Sequence, residues 1–426
     1  MNAPTSDTLL NLQPSCDDDF DPNSLTCAEA QARIAAHVQP LREVEYVALR
    51  TALGRVLAHP IVSRIDVPGH LNSAMDGYAI NARDIPSSGL QELAIVGSSF
   101  AGKPYRGEVN TGEAIRIMTG AVVPAGTDTI VPQEQVEATA THLRIDGRHT
   151  ARQHLRAAGE DIAAGHTVLA AGRVVTPAEL GLIASLGIVE VAVIRRPRIA
   201  FFSTGDELRS LGEPLGAGDV YDSNRYTLYG VLVRLGVEIL DLGVVPDNRE
   251  ALAAAFTQAS ATADVVITSG GVSVGEADYT KEILSRLGEV RFWKVAMKPG
   301  RPLVFGDLGN ALFFGLPGNP VSVLVTFYQF VQPALLQLMG ATPRPYAVLH
   351  AKTTTVLKKR PGRVEFQRAL LTRDSAGDYV VTATGDQGSG ILSSMTNANC
   401  FIVLGMDTGR VEPGAVVDVQ PFFGMV

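Results

Sequence analysis

Cysteine is nearly absent from this chain of 426 residues: Cys16, Cys27 and Cys400 are its only three. Their odd number and wide spacing allow no disulfide framework and no zinc motif, which fits a reducing compartment, the cytoplasm. Aromatic residues are scarce at 6%, so the cores must be aliphatic. Net positive charge is lacking as well. The formal charge of −8 disfavours nucleic acid as a partner, because phosphate binding needs a basic face. An anionic substrate would have to be drawn by a local cluster of cations, not by the field of the whole protein. No basic stretch followed by an apolar core opens the sequence, so no secretory signal is expected. The most apolar long run, 321–339, is broken by Ser322, Thr326, Gln329, Gln332 and Pro333. It falls short of the ~20 apolar residues that span a bilayer, and no membrane partner is expected. The Lys-Ser/Thr of a P-loop is missing, as is a G-x-G-x-x-G after the first strand of the α/β segment, which excludes the ordinary ATPase and dinucleotide folds.

What is present is globular. Hydrophobic residues make up 46% and charged residues 19%, enough for more than one core. Gly at 42 and Pro at 24 imply many tight loops. Residues 1–24 carry Asp17-Asp18-Asp19 without apolar periodicity and read as a flexible acidic leader. Thr26 with Glu29 forms a capping box that should start a helix, and a short helical run should end near Leu57, before Pro60. From about 64 to 158, short β-type runs (93–96, 114–118, 129–131, 142–145) alternate with Gly, Pro and Asp, as in a small β-rich domain. Thr176 and Glu179 make a second capping box, opening a helix that stops at Gly187. Residues 196–340 alternate strands with helices, which implies a largely parallel, doubly wound sheet. Its last helix should be capped by Asn319, with Pro320 in the first turn. Beyond 346 short β runs return, as in a small barrel or sandwich.

In such a sheet, ligands bind beyond the carboxyl ends of the strands. There the chain places Ser203-Thr204-Gly205-Asp206-Glu207, Val245-Pro246-Asp247-Asn248, Ser269-Gly270-Gly271-Val272-Ser273-Val274-Gly275 and Gly315-Leu316-Pro317-Gly318-Asn319-Pro320. A loop rich in glycine lets successive amides point at one oxyanion. Glu207, Asp247 and Asp278 either surround a divalent cation or cap separate helices; the spacing leaves both open. Lys294 and Lys298-Pro299-Gly300-Arg301-Pro302 set cations on a stiff backbone, as an anion site requires. Asn72 to Ala79, Arg116 to Ala121 and Arg156 to Asp161 contain ordinary turn signals and no function legible from spacing.

Taken together, Ala74-Met75-Asp76-Gly77-Tyr78-Ala79, Arg116 to Gly120, Gly159-Glu160-Asp161, Ser203 to Leu208, Ser269 to Gly275, Lys298 to Pro302 and Gly315 to Pro320 resemble the molybdopterin molybdenumtransferases, the MoeA family, which includes the gephyrin E domain. The resemblance implies a multidomain α/β protein. It would comprise a discontinuous linking domain (25–64 and 159–196), a β-rich domain (65–158), a molybdopterin-binding α/β domain (197–343) and a C-terminal β-barrel (344–426). It implies a homodimer whose active site joins the α/β domain of one subunit to the β domain of the other. It implies insertion of molybdate into adenylated molybdopterin with release of AMP. The catalytic set would be Asp76, Thr119, Asp161, Glu207, Asp247, Asp278, Lys294 and Lys298, with Glu207, Asp247 and Asp278 on Mg2+. Substrate would be held by Arg156, Thr204, Gly205, Asp206, Ser269, Gly270, Gly271, Ser273, Pro299, Gly300, Arg301, Pro317, Gly318, Asn319, Pro320, Arg368 and Ser394. Of these, Lys294, Lys298 and Arg368 would attract molybdate, and Ser394 would donate a hydroxyl. Implied partners are the molybdopterin adenylyltransferase and the recipient molybdoenzymes. Two rivals stay open, an adenylyltransferase and a scaffold or carrier of molybdopterin. Cys–His chemistry is unsupported, since the cysteines lie outside every motif.

Overall fold

The structure, a computed structural model, describes residues 24–271 and 277–422; the side chains of Ala277, Asp278 and Lys281 are also outside the description. The proposed acidic leader therefore lies almost wholly outside the described residues. Helix α1 (Cys27–His37) begins at the expected capping box, where the Glu29 carboxylate accepts from Thr26 N at 2.8 Å. The chain divides into two compact units, one formed by 46–53 and 57–192, the other by 1–45, 54–56 and 193–426.

In the first unit, the short helical run expected to end near Leu57 is a single 3-10 turn, Leu49–Ala52. Strands β1 (Gly77–Ile80), β2 (Leu90–Ser99), β3 (Glu113–Ile117), β4 (Thr129–Pro132), β5 (Glu137–Ala138) and β6 (His142–Asp146) form a sheet in the order β4-β1-β3-β2-β6-β5. Both faces are covered, one by a core including Tyr78, Ile80, Leu93 and Val131, the other by Ala79, Ile115, Ile117 and Ile130. Asp76-Gly77 reads as a turn in the sequence, yet Gly77 lies inside the sheet. A Cβ on Gly77 would sit 2.0 Å from the Val131 carbonyl oxygen, so the approach of β4 requires glycine. Helix α2 (Pro177–Ser185) follows the second capping box, with Glu179 accepting from Thr176 N at 3.0 Å.

The second unit is built on β7 (Arg198–Thr204), β8 (Glu238–Val245), β9 (Val265–Ser269), β10 (Gly288–Lys294), β11 (Pro302–Leu308) and β12 (Ala311–Leu316), in the order β8-β7-β9-β12-β11-β10. The first four in that order run parallel, but β12, β11 and β10 pair antiparallel. The sheet is therefore more mixed than the strand–helix alternation suggests. Antiparallel neighbours need only a short turn between them, so these two strands carry no intervening helix to betray them. Between the strands lie α3 (Ser223–Leu235), α4 (Arg249–Thr262) and α5 (Ala277–Leu287). Helices α4 and α5 cover Ala200, Phe202, Val266 and Phe313. The intervening residues Phe201, Val265, Ile267 and Phe314 are equally buried and face the other side. Helix α6 (Pro320–Thr326), which contacts α3, continues through a π-helical turn (Phe327–Val331) into α7 (Gln332–Leu338).

That composite helix, Pro320–Leu338, is long and apolar enough to cross a membrane by length and composition, which corrects the expectation from its polar residues; 83% of it is buried inside the protein. Its polar groups are satisfied there: Thr326 Oγ1 donates to the Ser322 carbonyl at 2.8 Å and Gln329 Nε2 to Gln420 Oε1 at 2.9 Å. It is a core helix.

The end of the chain is a closed barrel. Strands β13 (Leu349–Thr353), β14 (Val364–Arg373), β15 (Tyr379–Ala383), β16 (Cys400–Leu404) and β17 (Val416–Pro421) run β14-β15-β13-β17-β16 and return to β14. Ala369, Val381, Ile402 and Val419 fill its interior. Residues Met297 and Lys298 pair with Val364 and Glu365 of β14, so the Lys298–Pro302 motif is tied to the barrel wall.

Candidate functional site

Strands β7, β9 and β12 end in register, with Ser203 beside Ser269 and Ser269 beside Leu316. Thr204 to Glu207, Ser269 to Gly271 and Pro317 to Asn319 therefore share one sheet edge, as expected. Gly270 and Gly271 take φ of +87° and +66°, and a Cβ on Gly270 would lie 2.2 Å from the Thr204 carbonyl oxygen. Only glycine lets these loops touch. Ser203 Oγ, Thr204 Oγ1 and Thr268 Oγ1 are buried with no hydrogen-bond partner among the described residues. Each such group costs about 1–3 kcal/mol, so three of them near the strand ends leave buried polar atoms that a polar ligand could satisfy. Ser273 and the rest of 272–276 lie outside the described residues. Gly271-Val272-Ser273-Val274-Gly275 also has the G-x-S-x-G spelling of a serine nucleophile turn, and no nucleophilic role is assigned to it.

Three acids crowd the adjoining loops. The Glu207 carboxylate folds back over Gly205, where a Cβ would meet Glu207 Oε2 at 2.6 Å. Asp247 N lies 3.4 Å from Asp206 Oδ1, while Asp247 Oδ1 is buried with no partner among the described residues. Desolvation, then the charges of Asp206 and Glu207, hold the Asp247 carboxyl above the usual range. A divalent cation would relieve both the missing partner and the repulsion, so this donor set suits one. The third expected ligand, Asp278, has its side chain outside the description. Among the described residues no group of three His, Cys, Asp or Glu converges to hold a metal.

A cavity of about 1360 Å³ lies beside this edge, within the same unit, lined by Lys294, Lys298, Pro299, Gly300, Arg301, Pro317, Gly318 and Asn319. The barrel adds Lys358, Lys359, Arg360, Arg363 and Arg410, against only Glu365 and Asp386. On a chain of net charge −8 this is a strong local excess of cations. Lys298 Nζ stands 3.5 Å from Glu365 Oε1, and Lys359 Nζ is spent on the carbonyls of Arg360, Met406 and Thr408. Arg368 and Ser394 do not line the cavity. Arg368 is 1% exposed; its Nε donates to Ser394 Oγ at 3.0 Å and its Nη2 to the Gly388 carbonyl at 3.0 Å. Burial pulls its guanidinium down to about 10. The pair supports the wall through Gly388, which does line the cavity. Asn319 stands at the start of α6 but makes no side-chain capping bond, and Pro320 takes the first helical position.

The first unit holds the other candidates. Asp76 Oδ1 accepts from Thr119 N at 2.7 Å and from Thr119 Oγ1 at 2.8 Å. These bonds hold its carboxyl below the usual range. Asp161 and Arg156 are exposed: Asp161 N donates to the Val67 carbonyl at 3.1 Å, and Arg156 pairs with Asn72.

Three family profiles match in tandem: the MoeA N-terminal region (domains I and II) over 25–187, a probable molybdopterin-binding domain over 200–337, and the MoeA C-terminal region (domain IV) over 350–422. The chain belongs to the MoeA family. It is 45% identical to a molybdopterin molybdenumtransferase of Haemophilus influenzae over 93% of this chain and 98% of that protein. It is 33% identical to gephyrin of Dictyostelium discoideum over 88% of this chain and 59% of gephyrin. A crystal structure of the molybdopterin biosynthesis moeA protein from Pyrococcus horikoshii aligns with a TM-score of 0.80 at 28% identity, covering 93% of this chain and all (100%) of that one.

At this sheet edge, Ser203 belongs to a motif that the sequence singled out, while the Thr268 hydroxyl and the side chain of Asn224 escape the sequence reading. Small polar residues flanking a glycine loop were the available signal. Cys27 and Cys400 are free, and burial pushes both thiols up to about 12, so neither is a thiolate at neutral pH.

Proposed function

We propose that this protein inserts molybdate into adenylated molybdopterin and releases AMP, completing the molybdenum cofactor. The observation that carries the reading is the cation-lined cavity abutting a strand-end crevice of unsatisfied hydroxyls and crowded acids, in an otherwise acidic MoeA-family chain. The glycine loop that follows Ser269, through the Gly271 amide, binds the phosphate end of the adenylate with Thr204, Gly205 and Asp206, while the Gly270 amide ties the loop to the Leu316 carbonyl. Lys294, Lys298 and Arg301 draw in molybdate by charge-assisted hydrogen bonds, while Pro299, Gly300 and Pro317 to Pro320 shape the wall. Arg368 and Ser394 act from behind that wall. Glu207, Asp247 and Asp278 would hold Mg2+, whose chemistry is neutralisation of the pyrophosphate and polarisation of its phosphorus–oxygen bond. In the homodimer, Asp76, fixed by Thr119, would act with Arg156 and Asp161 on substrate held by the other subunit. The protein would act as a cytoplasmic homodimer, supplied by the adenylyltransferase and serving recipient molybdoenzymes.

The test is AMP release from preformed adenylated molybdopterin, with and without molybdate and Mg2+. Release that requires both, with a product that activates a cofactor-free molybdoenzyme, is expected. Formation of the adenylate from ATP and molybdopterin, without its consumption, would instead establish an adenylyltransferase. Binding of the adenylate with neither reaction would mark a carrier or scaffold.

A further inference from the structure

Asn224 occupies the first turn of α3, two positions after the Asp222 cap. The residue is 9% exposed. Asn is a poor helix former, and burying a primary amide needs a reason beyond the helix. The Nδ2 group donates to Ser269 Oγ at 2.9 Å and to the Gly318 carbonyl at 2.6 Å. A carbonyl only accepts, so the nitrogen and not the oxygen must face Gly318. Oδ1 is buried with no partner among the described residues.

The two acceptors belong to different loops. Ser269 closes β9 and opens the glycine loop; Gly318 lies in the loop after β12. The loops touch: Gly270 N donates to the Leu316 carbonyl at 3.2 Å, and a Cβ on Gly318 would stand 3.8 Å from Gly270 Cα. Backbone this rich in glycine drifts unless something holds it. The Asn224 amide spans both loops from a third element.

We propose that Asn224 is a positioning residue that latches the Ser269–Gly271 loop to the Pro317–Asn319 loop, fixing the spacing that binds the phosphate end of the adenylated substrate. The proposal rests on the transferase reading for the identity of that substrate, but not for the latch itself.

Two measurements on the full chain separate these. Hydrogen exchange, followed by mass spectrometry without ligand, reads the latch directly. In Asn224→Ala, peptides covering 265–271 and 312–319 should exchange at least about tenfold faster, since each tenfold is only ~1.4 kcal/mol of lost local stability. Ser269→Ala removes one bond and should loosen 265–271 by a smaller factor. Steady-state AMP release reads the consequence: the KM for adenylated molybdopterin should rise about tenfold with kcat within about threefold, because binding geometry is lost while the acids stay in place. Asn224→Asp sharpens the test. Its carboxylate opposes the Gly318 carbonyl, and only the protonated acid can donate there. Its KM relative to Asn224→Ala should therefore improve as pH falls, a trend that a volume-filling role would not produce. Unchanged exchange in both loops, a loss confined to kcat, or a pH-independent ratio between those two variants would overturn the latch. Faster exchange in Asn224→Ala, with wild-type protein releasing no AMP, would uphold the latch and sink the transferase reading. Where Asn224→Ala does not fold, Ser269→Ala and Asn224→Asp carry the same decisions.

Discussion

Asp76 and Asp247 are both aspartates in bends between regular elements, and the fold treats them oppositely. Asp76 is exposed and satisfied: Thr119 gives it two hydrogen bonds, and its carboxyl is held below the usual range. Asp247 is half-buried and unsatisfied: it faces Asp206 and Glu207, and its carboxyl is pushed above the usual range. A carboxylate stabilised by its surroundings is held ready in its charged form before any ligand arrives. One destabilised by its surroundings would be relieved by a cation placed beside it.

The contrast can be broken most sharply at Asp247. Asp247→Ala should lower turnover at least about 100-fold, since loss of Lewis-acid stabilisation is worth several kcal/mol and 1.36 kcal/mol is tenfold. Near wild-type AMP release would remove Asp247 from the site. In the Mg2+-free protein, Asp247→Asn should melt higher than wild type at neutral pH. A raised folded-state carboxyl means that ionisation costs stability above the unfolded-state value, and that cost disappears as pH falls through the raised value. The advantage of the amide should therefore shrink on acidification.

Lys298 sharpens the comparison from the cationic side. Lys298→Ala should raise the KM for molybdate about tenfold and weaken its dependence on ionic strength, as expected for a charge-assisted contact. An unchanged KM would place molybdate elsewhere. The smallest effect belongs to Asp76. Asp76→Asn should melt slightly lower than wild type at neutral pH, the reverse of Asp247→Asn. Its lowered carboxyl contributes stability above the unfolded-state value and loses it as pH falls through the lowered one. Melting shifts of the same sign at both positions would erase the distinction.

Much of this architecture was legible because the signals are local. Thr26 and Thr176 announce their helices through a Glu three positions on. Val265–Thr268 and Leu312–Phe314 read as strands from apolar runs that end in glycine loops, and the structure extends them to Val265–Ser269 and Ala311–Leu316. The illegible parts depend on partners distant in sequence. Strands β10 and β11 hide behind the Lys298–Pro302 motif and pair without a crossover helix. Asn224 meets residues 45 and 94 positions away, which no window along the chain connects. The family resemblance implies Arg368 and Ser394 as anion ligands, but the folded segment that carries Gln387, Gly388 and Ser394 packs over Arg368 and buries both.

The strand-end motifs and the cations of the Lys298–Pro302 segment are written along the chain, since glycine, proline and charge act where they stand. The tertiary structure alone decided which groups remain unsatisfied. Whether an aspartate is stabilised or repelled, or an amide spans two loops, depends on what long-range packing brings within hydrogen-bonding distance. That is why Asp247 and Asn224 acquire their character only in the folded molecule.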